Sequence, residues 1–473
     1  MRETIAASQL SRRRFLQSSA AFLAAIHAWP RNAAVAQDHT RVEPGERPPR
    51  EDGIVVENPR LRVPVSLIID DSTCLVNLAH FAIPQFAQIF PDRYTQPWKL
   101  LPREIPDAFV EKFAGWCHEQ GVKGKYSIVP YPACVGWLDR DLPGWSKQEL
   151  DASLQLVRDR ILPDWDIHPE MVSHTFVVDP RTGRPFPEKS ERFMENWRWT
   201  DDKSADQIAE YMAFALRILK NVGLPCEGIT TPGGFGNRVL PELSRATLHA
   251  VRDVFGAEIP HYFRHLFTDE RSVAPRVEFA AGLNTDHPRC VVSIIGCTGD
   301  WFGGWDGMEV GHADQFITED GRGGRLPKVI ARQEPAILVC HWPGIYWNGY
   351  ELGFRIFQEV VRRLDAHYNH LQWMKLSDIS RYWAARELTA FTWREQGVTL
   401  RAPFGTPQFT VRFKQRDASQ LVHVAGSEQT VLKPIDNLRR LAPGTFVRDG
   451  RDLVACFDLP KGLSRLEGLQ SQA

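Results

Sequence analysis

The sequence has no excess of either charge and no cluster of basic residues. Its 57 lysines and arginines nearly balance 58 aspartates and glutamates, so the net charge is −1. Proteins that bind nucleic acid neutralise phosphates with clustered positive charge. Beyond the first 36 residues the chain also lacks an uninterrupted apolar stretch of 18 residues, the length needed to cross a bilayer. Neither a nucleic-acid partner nor a membrane span is therefore expected.

Cysteines are few and show no metal-binding pattern. There are eight of them, with no CxxC pair and no spacing typical of a zinc site. Several, such as Cys290 and Cys340, lie within apolar runs, which suits buried free thiols as well as disulfides. The sequence alone selects no disulfide pairing.

The N-terminus has the features of an export signal. The segment SRRRFLQ is followed by the apolar stretch SSAAFLAAIHAW and by a small-residue cleavage site that ends at Ala36. The paired arginines predict a twin-arginine signal peptide over 1–36 and a periplasmic or extracellular protein; a chance basic run before a general secretory signal is the alternative. Cleavage would remove five basic residues and one acidic residue, which moves the net charge from −1 to −5.

The rest of the chain divides into three segments by composition. Residues 37–62 are polar and predict an extended lead-in, and 388–462 alternate at period two between turn residues, which predicts a small β-sandwich-like domain. Between them, 63–386 contain seven or eight units of a buried strand followed by an amphipathic helix. This order predicts an α/β fold of the distorted (β/α)7–8 barrel type. An open doubly wound sheet is the competing prediction, but no glycine-rich dinucleotide motif follows any strand.

Polar side chains gather where the predicted strands end. The apolar run VPVSLII leads directly into Asp70 and Asp71, and the strand in AILVCHW ends at His341. In a barrel the carboxyl ends of all strands meet at one rim, where the chemistry takes place. Any one of these residues could be an ordinary core or loop residue; together they favour a common site. The residues at such ends are Asp70, Asp71, Tyr131, His174, Thr231, Asp300, Trp301, His341 and Trp342.

Acids and imidazoles of this kind are ligands for Zn²⁺ or another divalent metal. Neighbouring residues on a strand point to opposite faces, so Asp70 and Asp71 serve one site only if the strand bends between them. One would then bind metal while the other acts as a base. The simpler alternative is that one aspartate caps the following turn.

Five short motifs, in this order, resemble those of the polysaccharide deacetylase superfamily. They are LIIDDST, PEMVSHT, TTPGG, GDWFGGW and AILVCHWP. Members of that superfamily have a distorted (β/α)7 barrel and remove acetyl groups from sugars with a divalent metal. The resemblance implies that Asp70 is the catalytic base, that Asp71 and His174 bind the metal, and that His341 is the general acid. It implies further that a saccharide is bound by Tyr131, Thr231, Asp300, Trp301 and Trp342.

The resemblance is incomplete in two places. The second motif should place another histidine four residues after His174, but that position is Val178. Asp179 or His168 is therefore the expected third ligand. Thr230 occupies the place of an arginine that orients the base in the superfamily.

Three functions remain open from the sequence. The first is a metal-dependent esterase or amidase acting on an acetylated saccharide. The second is a metal-independent glycosidase that uses two carboxylates, chosen from Asp70, Asp71, Asp179, Asp300 and Asp306. The third is a barrel that binds saccharide without catalysis.

Overall fold

The computed structural model describes residues 45–471. The predicted signal peptide, residues 1–36, and the first part of the predicted lead-in lie outside the described residues.

Twelve strands lie within residues 45–373, and most of them are short. They are β1 Ile54–Val56, β2 Val63–Asp70, β3 Gly124–Ile128, β4 Trp165–Pro169, β5 Val178–Asp179, β6 Arg184–Pro185, β7 Gly228–Thr230, β8 His261–Leu266, β9 Arg276–Ala281, β10 Arg289–Gly296, β11 Ala336–His341 and β12 Leu371–Trp373.

Ten helices lie between and after these strands. They are α1 Leu78–Ala87, α2 Asp107–Glu119, α3 Lys147–Leu156, α4 Ala205–Asn221, α5 Leu240–Phe255, α6 Ala313–Phe316, α7 Leu326–Ala331, α8 Trp342–Tyr346, α9 Leu352–His367 and α10 Leu376–Leu388. A π turn, Val157–Ile161, extends α3, and short 3₁₀ turns lie at Pro59–Leu61, Trp98–Leu100, Pro132–Cys134, Glu191–Phe193, Trp199–Asp202, Trp347–Gly349 and Leu438–Arg440.

Eight parallel strands form a distorted barrel, as the strand–helix alternation predicted. One sheet has the order β11-β2-β3-β4, with β12 paired in parallel to the start of β2, and a second has β7-β8-β10 with β9 added antiparallel to β10. The two sheets meet at a parallel bridge between Glu170 and Thr230. On the other side the Cys297 N–H donates to the Ile337 carbonyl over 2.8 Å. The barrel is irregular at these two seams, where continuous strand pairing is replaced by single contacts.

Local sequence signals explain where several elements begin and end. All eight residues of β2 are buried, as expected for a strand covered on both faces. Ser146 and Ser204 cap α3 and α4 with capping boxes, in which the serine hydroxyl and the third helical residue satisfy each other's backbone groups. Gly256 ends α5 in the left-handed conformation that glycine adopts at low cost.

The C-terminal region is rich in strands, as its period-two pattern predicted. Its strands are β13 Ala390–Arg394, β14 Gly397–Ala402, β15 Thr406–Phe413, β16 Arg416–Asp417, β17 Leu421–Ala425, β18 Glu428–Ile435, β19 Thr445–Asp449, β20 Asp452–Leu459, β21 Gly462–Glu467 and β22 Gln470–Ser471. Nine strands form a sheet of order β1-β15-β20-β19-β18-β17-β21-β14-β13. Strand β1, from the predicted lead-in, is therefore an edge strand of this sheet.

One apolar cluster connects the barrel to the C-terminal strands. Ile68 and Val339, from inside the barrel, belong to the same buried cluster as Tyr382 of α10 and Phe409 of β15. All eight cysteines are described, and none forms a disulfide. Within residues 45–471, none of the helices has both the length and the apolar character needed to cross a membrane.

Candidate functional site

The site lies where β2 and β11 end side by side. In the parallel register of these strands, His341 pairs with Asp70. Asp71 follows in the left-handed conformation, with φ 59°. This bend interrupts the alternation of side chains along the strand, so two consecutive aspartates reach the same rim. Asp70 and Asp71 can therefore serve one site, which the sequence allowed only if the strand bends between them.

Asp71, Glu170 and His174 form a compact buried group. The Nε2 atom of His174 lies 2.8 Å from Oδ1 of Asp71 and 3.3 Å from Oε1 of Glu170. The other carboxylate oxygen of Glu170 accepts a hydrogen bond from the Asp71 N–H over 2.8 Å. Burial alone would lower the pKa of His174, but the two carboxylates outweigh it and raise the pKa well above its ordinary value. Burial likewise opposes ionisation of Glu170, yet His174 lowers the pKa of Glu170 to about 2.

This group has the donor set of a divalent-metal site. One ligand atom from each of the three residues lies within 4.8 Å of the others. Within the described residues, the ion pair with His174 is the contact that Oδ1 of Asp71 makes, and Nδ1 of His174 has no hydrogen-bond partner. Two carboxylates and one imidazole suit Zn²⁺ or a similar divalent ion, and leave coordination positions open for water. The residues present therefore fit a metal.

The third member of the group differs from both sequence-based candidates. Asp179 lies on β5, where it binds Arg181, and His168 points to His261, with 2.9 Å between their Nε2 atoms. Glu170 lies four residues before His174. The resemblance placed the missing ligand at the same spacing, but four residues after His174. The sequence feature that could have identified Glu170 is an acidic residue four positions before His174.

The loop that carries Glu170 and His174 is fastened by Glu195. The carboxylate of Glu195 accepts backbone hydrogen bonds from Val172, Ser173 and His174, at 3.2, 3.0 and 2.5 Å, and another from the Tyr211 hydroxyl. Burial raises the pKa of Glu195 to about 7. His174 was predicted to lie at a strand end, but β4 ends five residues earlier, at Pro169. The chain then bends, with φ 53° at Met171 and 63° at His174.

Asp70 is paired with a lysine that sequence reasoning missed. Lys125, on β3, is fully buried and forms an ion pair with Asp70. Its ammonium also donates to the Ile69 carbonyl over 2.9 Å and to the Ser127 hydroxyl over 2.7 Å. Burial raises the pKa of Asp70 to about 6, against the opposing attraction of Lys125. Lys125 thus supplies the cationic partner that the resemblance placed at position 230. The sequence feature that could have identified this partner is a single lysine within a buried strand.

His341 is paired with Asp300. The Nδ1 atom of His341 lies 2.8 Å from Oδ2 of Asp300. Burial would lower the pKa of His341, but the bond to Asp300 and the nearby charges of Asp71 and Asp70 raise it to about 10. The imidazole is thereby kept protonated at neutral pH, as a proton donor must be. Asp300, a predicted substrate-binding residue, thus lies against His341.

The remaining predicted substrate residues fall into two groups. Tyr131 is half-buried and stacks face to face on Trp137, with 3.9 Å between the rings, and Trp301, beside Asp300, is also partly exposed. Thr231 is almost buried and binds the Phe263 carbonyl through its hydroxyl. The prediction for Trp342 is wrong: this side chain has no exposed surface, because it begins α8 and packs in the core.

The ion pair inside the barrel predicts coupled effects on stability. Lys125→Met and Asp70→Asn should each lower the free energy of unfolding by about 3–5 kcal/mol, because each leaves a buried charge without its partner. In the double variant the loss of unfolding free energy should be about 1–3 kcal/mol smaller than the sum of the two single losses. Urea denaturation of the metal-free protein measures this. The exposed Lys147–Asp151 pair on α3 is the control, with a coupling of about 0.5 kcal/mol or less; additive losses at 70 and 125 would contradict the prediction.

The role of Glu195 can be tested in the same way. Glu195→Ala leaves three buried N–H groups without an acceptor, so the free energy of unfolding should fall by about 2 kcal/mol or more. The affinity for Zn²⁺ should fall by about 10–100-fold, because the ligand loop loses its support. Glu191→Ala, which removes only an exposed ion pair with Arg198, is the control. Equal behaviour of the two variants would show that Glu195 does not hold the loop.

Comparison with known proteins finds no matching protein family and no matching curated protein. Solved structures do match. One described as "probable Polysaccharide deacetylase", from Pseudomonas aeruginosa PAO1, has 11% identity and a TM-score of 0.36, over 68% of this chain and 90% of its own. A PuuE allantoinase has 12% identity and a TM-score of 0.38, over 75% and 98%. A glycoside hydrolase family 30 xylanase from Clostridium acetobutylicum has 10% identity and a TM-score of 0.30, over 78% and 93%.

At 10–12% identity and TM-scores below 0.5, these structures establish neither a family nor an activity for this chain.

Proposed function

We propose that the chain is a metal-dependent hydrolase that removes acetyl groups from a saccharide. One observation carries this proposal: the register of β2 and β11 sets Asp70 beside His341, next to the group Asp71, Glu170 and His174. A base, an acid and a metal-binding group therefore share one rim.

Each residue has a separate task in the hydrolysis. A divalent cation, when bound by Asp71, Glu170 and His174, makes water more acidic and polarises a carbonyl. Asp70, held ionised by Lys125, accepts a proton from the attacking water. His341, held protonated by Asp300, donates a proton to the departing oxygen or nitrogen. Water is thus added across the acyl bond, and the products are acetate and the free alcohol or amine.

The half-buried aromatic residues support a saccharide as substrate. Tyr131 lies against the loop of His174, because its N–H donates to the Val172 carbonyl over 2.8 Å. Trp301 follows Asp300 directly. Both side chains are partly exposed, and aromatic rings of this kind are surfaces on which a sugar can stack. The acids around His341 can accept hydrogen bonds from its hydroxyl groups.

Release of acetate from acetylated oligosaccharides tests the proposal. The zinc-loaded protein should release acetate, a strong chelator should abolish the release, and Asp70→Asn should lower the rate by about 10²–10⁴-fold. Glu170→Gln should lose both activity and the bound ion, as measured by elemental analysis. Asp179→Asn, at the acid bound to Arg181 outside this group, is the matched control and should retain both.

Other outcomes would favour the alternatives. Sugar release that persists with chelator present, without acetate, would favour a glycosidase. Binding of oligosaccharide measured by calorimetry, with no product after long incubation, would favour a non-catalytic protein.

The pairing of His341 with Asp300 predicts a pH effect. An acid catalyst works only while protonated, so activity should fall as pH rises through the pKa of His341, which lies far above its ordinary value of 6.5. Asp300→Asn removes the negative partner, so the falling limb of the pH–rate profile should move toward neutral pH. An unchanged limb, with kcat alone reduced, would show that Asp300 does not control this proton.

A further inference from the structure

A second cluster of metal-ligand residues lies inside the barrel, apart from the site above. Asp166, His168 and His261 each place one ligand atom within 4.8 Å of the others. Both histidines are fully buried. His168 lies on β4, two residues before Glu170, so the two groups are separated by about 7 Å along the strand.

The two imidazoles face each other across a glycine. Strand β7 lies between β4 and β8, and Gly228 pairs with His261 in the β7–β8 register. A Cβ atom at position 228 would lie 2.6 Å from the Nε2 atoms of both His168 and His261. The missing side chain therefore creates the space in which both nitrogens converge. Their Nε2 atoms lie 2.9 Å apart, within hydrogen-bond distance, whereas two nitrogens of a tetrahedral zinc site lie about 3.4 Å apart. A bound ion would therefore move the two rings apart by about half an ångström and replace this hydrogen bond.

The surroundings orient these groups as metal ligands are oriented. Nδ1 of His168 lies 3.4 Å from the Thr230 hydroxyl. The carboxylate of Asp166 accepts hydrogen bonds from the N–H and the hydroxyl of Ser377, at 2.6 and 2.8 Å, at the start of α10. Each of its oxygens keeps a further lone pair. Such outer contacts hold ligands in place in metal sites.

Charge favours a cation here. Histidine binds a metal through a neutral ring nitrogen, and both rings are fully buried. Lys125 faces the same interior, but its charge is balanced by Asp70. Asp166 is then the negative group of the cluster.

We propose that Asp166, His168 and His261 form a second divalent-metal site. Two imidazoles and one carboxylate select Zn²⁺ or another ion of similar preference over Mg²⁺ or Ca²⁺. Because the histidines are fully enclosed, the bound ion has no route to substrate and its role is structural. It connects β4 to β8 and, through Ser377, to the start of α10.

Metal counting on the full chain tests this site separately from the proposed catalytic one. Protein produced with zinc should contain two equivalents. Dialysis of the folded protein against a chelator should remove the rim ion and leave one equivalent, which is released only on unfolding in guanidinium. His261→Gln and Gly228→Ala should each bind one equivalent fewer and unfold at a lower temperature. Glu170→Gln should also lose one equivalent, but keep the one that resists the chelator. His265→Gln, on the same strand outside the cluster, is the matched control and should keep two.

The outcomes distinguish the two sites. One equivalent that survives Glu170→Gln but not His261→Gln would support this proposal and contradict the rim site. One equivalent that survives His261→Gln but not Glu170→Gln would overturn this proposal. If the His261 variant does not fold, anomalous diffraction from zinc-grown wild-type crystals decides: a peak between His168 and His261 supports the site, and its absence overturns it.

Discussion

The ion pair between Asp70 and Lys125 is the interaction on which the rest of the site depends. A carboxylate and an ammonium group are both enclosed in the barrel, and neither charge could stay there alone without a cost of several kcal/mol. The pair requires β2 and β3 to lie in their observed register, with Ile68 opposite Lys125. The same β2 pairs with β11, so His341 is brought beside Asp70.

The other acids around the site are stabilised in the same way, each by a specific partner. Asp71 pairs with His174, Asp300 with His341, and Glu195 with the N–H groups of the ligand loop. The backbone adapts to these pairs: Asp71 and His174 adopt left-handed conformations, which residues other than glycine rarely adopt. Such local strain is found where a site over-determines its geometry. Rigid charge pairs and bent loops together give a pre-organised rim.

The sequence predicted the parts of the fold that depend on local patterns. The apolar run before Asp70 became a fully buried strand, the alternation of strands and helices became the barrel, and the period-two segments became strands. Predictions were weaker where a residue's environment comes from elsewhere. Trp342 follows a strand end, as a rim residue should, but α8 turns it into the core. Strand β1 pairs with β15, which follows more than 300 residues later, and no pattern near β1 specifies that partner.

For the site, the order of residues determined which chemistry was available: paired aspartates at one predicted strand end, and His174 and His341 at two others. These features are local, because a buried strand and the polar residues at its end are adjacent in the chain. The tertiary structure alone decided the partners. Glu170 reaches Asp71 across 99 positions, Lys125 reaches Asp70 across 55, and His261 reaches His168 across 93. Contacts of that length depend on strand register and on where each strand bends, and both follow from packing of the whole barrel.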